Sequence, residues 1–181
     1  LARFNLLPEL RRRIGYEINM AKAGKEARII LKMNALQDPA MIDELYKASE
    51  AGVKIDLIVR GICCLIPNQP YSRNIRITRI VDSFLEHARV WYFHHGGKPL
   101  LFMGSPDWMR RNLYRRIEAV TPILDEDLKQ QLIDMLVIQL KDNRKAGWVD
   151  ENLNNVLKRN PKEEPVRAQY AFYEYLKGKN K

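Results

Sequence analysis

Two short apolar runs separated by one helical pattern constrain this chain more than any other feature. Arg28-Ile29-Ile30-Leu31-Lys32-Met33 is apolar and rich in β-branched residues, as a strand covered on both faces must be. Asp38-Pro39 then gives a helix start, followed by apolar positions at Ile42, Leu45, Tyr46 and Ala48, a stop at Gly52, and a second buried run over residues 53–59. Strand, helix, strand in that order predicts a parallel pair joined by a right-handed crossover. In open α/β sheets ligands bind beyond the carboxyl ends of the strands, where Lys32, Asn34 and Arg60 fall.

The rest of the chain extends this α/β pattern. Leu10, Ile14 and Ile18 form one face of a helix over residues 8–24, with Arg11-Arg12-Arg13 expected on its solvated side. Residues 66–72 read as a loop, and a helical stretch is expected near 80–85. Strands are predicted over 88–93 and 100–103 around the turn 94–99, then over 116–123, with helices over 127–140 and 165–176. Residues 152–164, rich in asparagine, lysine and proline, read as a mobile connection. Trp91, Tyr92, Trp108, Trp148, Tyr170 and Tyr173 are expected to be packing aromatics. With 181 residues, 46% of them hydrophobic, one core and one domain over 1–181 are expected.

Charge then bears on function. The formal net charge is +9, and residues 54–118 hold most of it, with eleven basic groups against five acidic ones; nine of the eleven are arginines. Planar guanidinium forks bind phosphate oxygens in pairs, so the composition points to a polyanionic partner. No apolar run reaches the ~18 residues of a membrane span, and the first residues lack the layout of a signal peptide. A soluble, intracellular protein is expected, and the opening residues read as the middle of a longer chain. Cys63 and Cys64 are adjacent, which disfavours a structural disulfide, and with His94-His95 they match no metal-binding spacing. No metal site is therefore expected in this chain.

The sharpest constellation is Glu86-His87-Ala88-Arg89 at the opening of a predicted strand, with Gly104-Ser105-Pro106-Asp107 ending the next, then Asn112, Arg116 and Glu118. Strand alternation puts His87 and Arg89 on one face. The layout resembles the phospholipase D superfamily, which places a histidine, a basic residue two positions on, and a later Gly-Ser around a phosphate. Arg89 stands where that superfamily has lysine, and a motif used in pairs occurs once, so a self-sufficient phosphodiesterase is disfavoured. With their flanks, the segments Leu31-Lys32-Met33-Asn34, Ile58-Val59-Arg60-Gly61-Ile62-Cys63, Phe84-Leu85-Glu86-His87-Ala88-Arg89-Val90 and Ser105-Pro106-Asp107-Trp108-Met109 resemble bacterial polyphosphate kinase more closely. Arg110-Arg111-Asn112, Arg116-Ile117-Glu118, Thr121-Pro122-Ile123 and Val166-Arg167-Ala168-Gln169 continue the resemblance, in order, over nearly the whole chain.

The resemblance implies a phospholipase D-like fold, a mixed, mostly parallel sheet flanked by helices. It also implies a Mg2+-dependent enzyme that moves the terminal phosphoryl of ATP reversibly onto polyphosphate through a phosphohistidine, using two such domains face to face. This chain resembles the second, C-terminal one. The phosphorylated histidine and the residues associated with Mg2+ are then in the preceding domain, and the isolated chain is expected to be inactive. Carried over by residue, Arg60 is a nucleotide-phosphate arginine and His87 the second active-site histidine. Arg89, Ser105, Asn112 and Arg116 are candidates for lining the ATP and polyphosphate path. Glu118 is a candidate for orienting a cation, and Asp107 either caps the turn at Trp108 or touches the site. The implied partners are ATP or ADP, polyphosphate, the preceding domains and a second copy of the enzyme. The implied place is the cytoplasm, with a peripheral station at the inner membrane. Two other readings stay open: a non-catalytic basic module for polyanions or nucleic acid, the latter disfavoured by the motifs, and a phosphodiesterase dimer of single motifs.

Overall fold

The computed structural model describes residues 5–159 and 162–179. Helix α1 (Leu6–Lys22) leads into β1 (Arg28–Met33), α2 (Pro39–Glu50) and β2 (Lys54–Val59), the unit predicted from the apolar runs. Then follow β3 (Ile75–Ile80), β4 (Val90–Phe93), β5 (Leu100–Gly104), β6 (Val120–Pro122), α3 (Glu126–Lys141), β7 (Ala146–Val149), β8 (Asn155–Leu157) and α4 (Ala168–Lys179). One sheet holds the strands in the order β6-β5-β4-β1-β2-β3-β7-β8. It is mixed, as expected, with a smaller parallel part: β1–β2 and β2–β3 are parallel, and the other pairings antiparallel. Short turns join two of the antiparallel pairs, β4–β5 and β7–β8, as only antiparallel neighbours can be joined, while β1–β4 and β3–β7 pair across long connections.

Both faces of β1 are covered, hence its unbroken apolar run. Ile29, Leu31 and Met33 join the core formed with Leu10 and Ile14 of α1 and Leu45 and Ala48 of α2. Ile30 joins a second core with Met135 and Leu136 of α3 and Ala168 of α4. The Asp38 carboxylate caps α2 by accepting from the Met41 N–H at 3.0 Å, and Asp125 caps α3 through the Leu128 N–H at 2.9 Å. Arg12 and Arg13 are both paired with Glu9; Arg12 faces solvent as expected, whereas Arg13 is largely buried and lies over the Phe102 ring.

Several expected elements differ. Instead of a helix near 80–85 there is the strand β3, after which residues 81–89 form neither helix nor strand. Asp82 turns its carboxylate onto the Ser83 N–H at 2.7 Å, a local bond that competes with helix formation. Strand β4 begins at Val90, so His87 and Arg89 precede it and do not share a strand face. Residues Arg111–Arg115 form a wide π-type turn, which leaves β6 only Val120–Pro122 of the strand expected over 116–123. Within 152–164, residues Asn155–Leu157 pair with β7, while Asn160 and Pro161 lie outside the described residues, as do residues 1–4. Tyr170 and Tyr173 are 51% and 62% exposed, whereas Trp91, Tyr92 and Trp108 are buried.

Candidate active site

The sheet order creates the site. The chain leaves β3 at its carboxyl end and must pass the carboxyl ends of β2 and β1 to enter β4, which starts with Val90 opposite Lys32. That passage, residues 81–89, carries His87 to Arg60, the first residue after β2. Arg60 Nε donates to Asn34 Oδ1 at 2.6 Å, and Arg60 Nη2 lies 3.3 Å from His87 Nδ1. A guanidinium has no acceptor, so Nδ1 is the acceptor in this contact. His87 itself is exposed. Gly61 permits the close approach: a Cβ there would lie 2.8 Å from the Asn34 carbonyl oxygen, which accepts the Gly61 N–H at 2.9 Å.

A carboxylate braces the pair. Asp107 accepts from the backbone N–H groups of Asn34 at 2.7 Å and Ala35 at 3.2 Å, and from Arg89 Nη2 at 3.1 Å. Arg89 Nη1 donates to the His87 carbonyl at 2.9 Å. Arg89 thus fixes Asp107 and the His87 backbone, and Asp107 ties three loops rather than capping the turn at Trp108. Trp108 packs edge-on against Trp91, ring centres 5.9 Å apart, beneath these loops.

Ser105 and Asn112 meet around a different carboxylate. Ser105 Oγ and Asn112 Nδ2 both donate to the buried Glu118, the latter at 2.6 Å. Neutral donors therefore occupy the Glu118 oxygens, and among the described residues no cation is their partner. Arg116 is exposed alongside Arg110, Arg111 and Arg115, a run of guanidinium groups facing solvent. Sequence reasoning thus brought together two clusters, Arg60–His87–Arg89 and Ser105–Asn112, with Asp107 following Ser105 by two positions as the covalent link.

Lys32 and Glu86, placed near the site by their positions in the sequence, meet beneath His87 with two glutamines that were not site candidates. Lys32 Nζ donates to Glu86 Oε2 at 2.7 Å, and Glu86 also accepts from Gln139 at 2.8 Å and Gln169 at 2.9 Å. Burial pulls the Lys32 ammonium below its ordinary range, against the pull of Glu86. Burial alone would raise Glu86, but Lys32 and the two amides hold it low. A buried glutamine on the apolar side of α3 was the available signal for Gln139; Gln169 stood within the matching segment Val166-Arg167-Ala168-Gln169.

The cysteines and histidines are separated by the length of the sheet. Cys63 and Cys64 follow β2, while the His94 N–H donates to the Arg28 carbonyl at the opposite end of β1. Burial pushes the Cys63 thiol up to about 11. Among the described residues no group of three or more His, Cys, Asp or Glu side chains is placed to hold a metal ion. A cavity of about 240 Å³ lies under His87, lined by Leu85, Met135, Gln169 and Phe172 among others. A larger one, about 550 Å³, opens between the end of α3 and β7–β8, away from this chemistry.

The sequence matches the family described as "Polyphosphate kinase C-terminal domain 2" over residues 1–169. A polyphosphate kinase of Yersinia pestis is 49% identical over 165 residues, which is 91% of this chain and 24% of that protein. The crystal structure of polyphosphate kinase from Porphyromonas gingivalis superposes with a TM-score of 0.98 and 57% identity, covering 99% of this chain and 28% of that one. The chain therefore spans about a quarter of the length of these relatives. A phospholipase D family member from Salmonella typhimurium shares the fold, with a TM-score of 0.50 and 13% identity over 79% of this chain and 89% of its own.

Proposed function

This chain belongs to the polyphosphate kinase family, as its C-terminal domain 2, and from that premise we propose that it supplies one half of a site moving the terminal phosphoryl of ATP reversibly onto polyphosphate. The observation that carries the reading is the Arg60–His87 contact of 3.3 Å at the carboxyl end of β2. Phosphoryl transfer needs charge stabilised on the oxygens of the moving group and on the leaving oxygen, which fixed donors can do. With Nε held by Asn34 and one Nη2 hydrogen turned to His87, the other N–H groups of the Arg60 fork are available for phosphate oxygens, in the ground state and during transfer.

His87 then acts as a charge stabiliser or as a proton donor to the leaving oxygen, the two parts its residue type offers. In the family reading, a P–N bond to a histidine of the preceding domain forms as the bond to ADP breaks, and a polyphosphate oxygen then displaces that nitrogen. Arg116 is the second-tier candidate best placed to meet a polyanion from solvent. Arg89, Ser105 and Asn112 are already engaged and shape the path from behind. The residues here do not fit a Mg2+ site, because the Glu118 oxygens are bound by Ser105 and Asn112. In this reading the ion belongs with the preceding domain. No helix among the described residues is long and apolar enough to cross a membrane, and the enzyme is read as cytoplasmic, with the preceding domains as the first partner.

Steady-state kinetics on the full-length enzyme test this. His87→Ala should lower kcat by about two orders of magnitude with little change in the KM for ATP, as for a group acting in the transition state. Arg60→Ala should damage both constants, and Arg60→Lys should recover part, since an ammonium lacks the paired donors of the fork. Wild-type turnover in His87→Ala would leave that residue a structural role and sink the assignment.

A further inference from the structure

The segment that carries His87 is not held by packing. Residues 81–88 lie in no helix or strand, and Val81, Phe84 and Leu85 are 69%, 68% and 72% exposed. Under it lies the cavity of about 240 Å³ rather than a filled core. Beside the bonds to Glu86 and His87 already described, it is held by Gln169 at the start of α4 and by Arg167 just before it. The Gln169 amide accepts the Phe84 N–H at 2.9 Å and donates to the Phe84 carbonyl at 2.7 Å and to Glu86 Oε1 at 2.9 Å. Both amide hydrogens and the oxygen are thereby used on the two residues adjoining Leu85. Arg167 grips Asp82 with two nitrogens, at 2.8 and 2.6 Å, and reaches Ser83 Oγ at 2.9 Å.

The clamp is itself anchored. The fully buried Asp142 accepts the Ala168 N–H at 2.7 Å, and its other oxygen collects the N–H groups of Arg144, Lys145 and Ala146. Asn143 Oδ1 accepts the Val166 N–H at 2.9 Å. A rigid path therefore runs from the corner between α3 and β7, through the first turn of α4, to the residue before His87.

We propose that Gln169 is a positioning residue for phosphoryl transfer: it sets His87 against Arg60 by fixing the backbone of Phe84 and the carboxylate of Glu86. The proposal rests on the reading of His87 above. Gln169 touches neither Arg60 nor His87 directly, so it acts through the segment, and its loss should move kcat rather than nucleotide binding, which Arg60 retains through Asn34.

The test uses the full-length enzyme with Gln169→Met, similar in length but without hydrogen bonds. We expect kcat to fall about tenfold or more, the scale of effect of a misplaced group, while the KM for ATP stays within about threefold. Chymotrypsin should cut after Phe84 or Leu85 about tenfold faster, because cleavage follows local opening, with the melting temperature nearly unchanged. If Gln169→Met does not fold, Arg167→Lys, which leaves the amide in place, carries the same expectations at smaller size. Wild-type kcat together with faster cleavage would overturn the proposal, as would an unchanged cleavage rate. His87→Ala runs alongside: normal turnover there would sink the reading of His87, while the cleavage assay would still judge the clamp.

Discussion

Strand β4 is approached and left by segments of opposite construction. The approach, residues 81–89, is tied by side chains from distant elements: Gln169 and Arg167 of the α4 region, Asn34 beyond β1, and Asp107 through Arg89. The departure, residues 94–99, turns on its own backbone. The Gly97 N–H donates to the His94 carbonyl at 3.1 Å, and Gly96 and Gly97 take φ values of 65° and 86°, which a residue with a Cβ rarely adopts. Nearby groups steady it: buried Glu17 accepts the N–H of His95 at 2.7 Å and that of Arg28 at 3.2 Å, the Arg28 carbonyl accepts that of His94, and Tyr16 packs on the His95 ring. The departure is a property of its own few residues. The approach is a property of the whole sheet, and the Arg60–His87 pair sits on it.

The strongest way to break this comparison is Asp107→Ala. It removes the acceptor of two backbone N–H groups and leaves the Arg89 guanidinium, its side chain 15% exposed, without its carboxylate. Breaking such a buried pair costs about 3 kcal/mol. The full-length enzyme should melt several degrees lower and lose turnover; an unchanged melt would mean that the approach is held otherwise.

Glu17→Gln probes the other side at smaller size. Both carboxylate oxygens accept N–H groups, and an amide must turn its own NH2 towards one of them, at a cost of about 1–2 kcal/mol. Turnover per folded molecule should stay at the wild-type level, and a fall in kcat would show that the two ends of β4 are coupled. Burial also raises the pKa of the Glu17 carboxyl, so the folded protein binds that proton more tightly than the unfolded chain. Wild-type stability should decline as pH rises through the raised value, and pH-dependent melts of Glu17→Gln should lack that slope.

The smallest effect is expected at Asp82, whose carboxyl the Arg167 guanidinium pulls down to about 2. A lowered carboxyl contributes its full share above the unfolded value of about 4 and loses it as pH falls towards the folded one. Protection of residues 81–86 from hydrogen exchange should hold from neutral pH to about 5, then fall towards that of Asp82→Asn. Flat protection down to pH 3 would mean that Arg167 is not what holds the segment.

The same contrast explains what the sequence could disclose. The β1–α2–β2 unit was readable because its signals are local: an apolar run, Asp38-Pro39, Gly52. Arg60 was readable because it ends a strand, and His87 because its type and flanks recur in a known family. The irregular course of 81–89 was not, since Gln169 acts on Phe84 from 85 positions away and leaves no local period. The apolar pairs Ile80-Val81 and Phe84-Leu85 instead suggest a helix, and the strand β3 before them was not among the strands expected. Strand β7, Ala-Gly-Trp-Val, has too weak a propensity to announce itself. Arg89 carries the charge of a phosphate ligand, but its real partner, Asp107, stands 18 residues on in a different loop.

The clamp on the His87 segment also has a consequence for biosynthesis. A nascent chain grows from its amino end, and contacts between residues far apart must wait for the later one. Sheet strands β1 to β5 can pair soon after they leave the ribosome, yet Gln169 follows Phe84 by 85 residues, and closing so long a loop is slow compared with forming neighbouring turns. The segment bearing His87 then stays open until the start of α4 has emerged. Positioning of His87 thus waits on the same start of α4 whose Ala168 completes the second core.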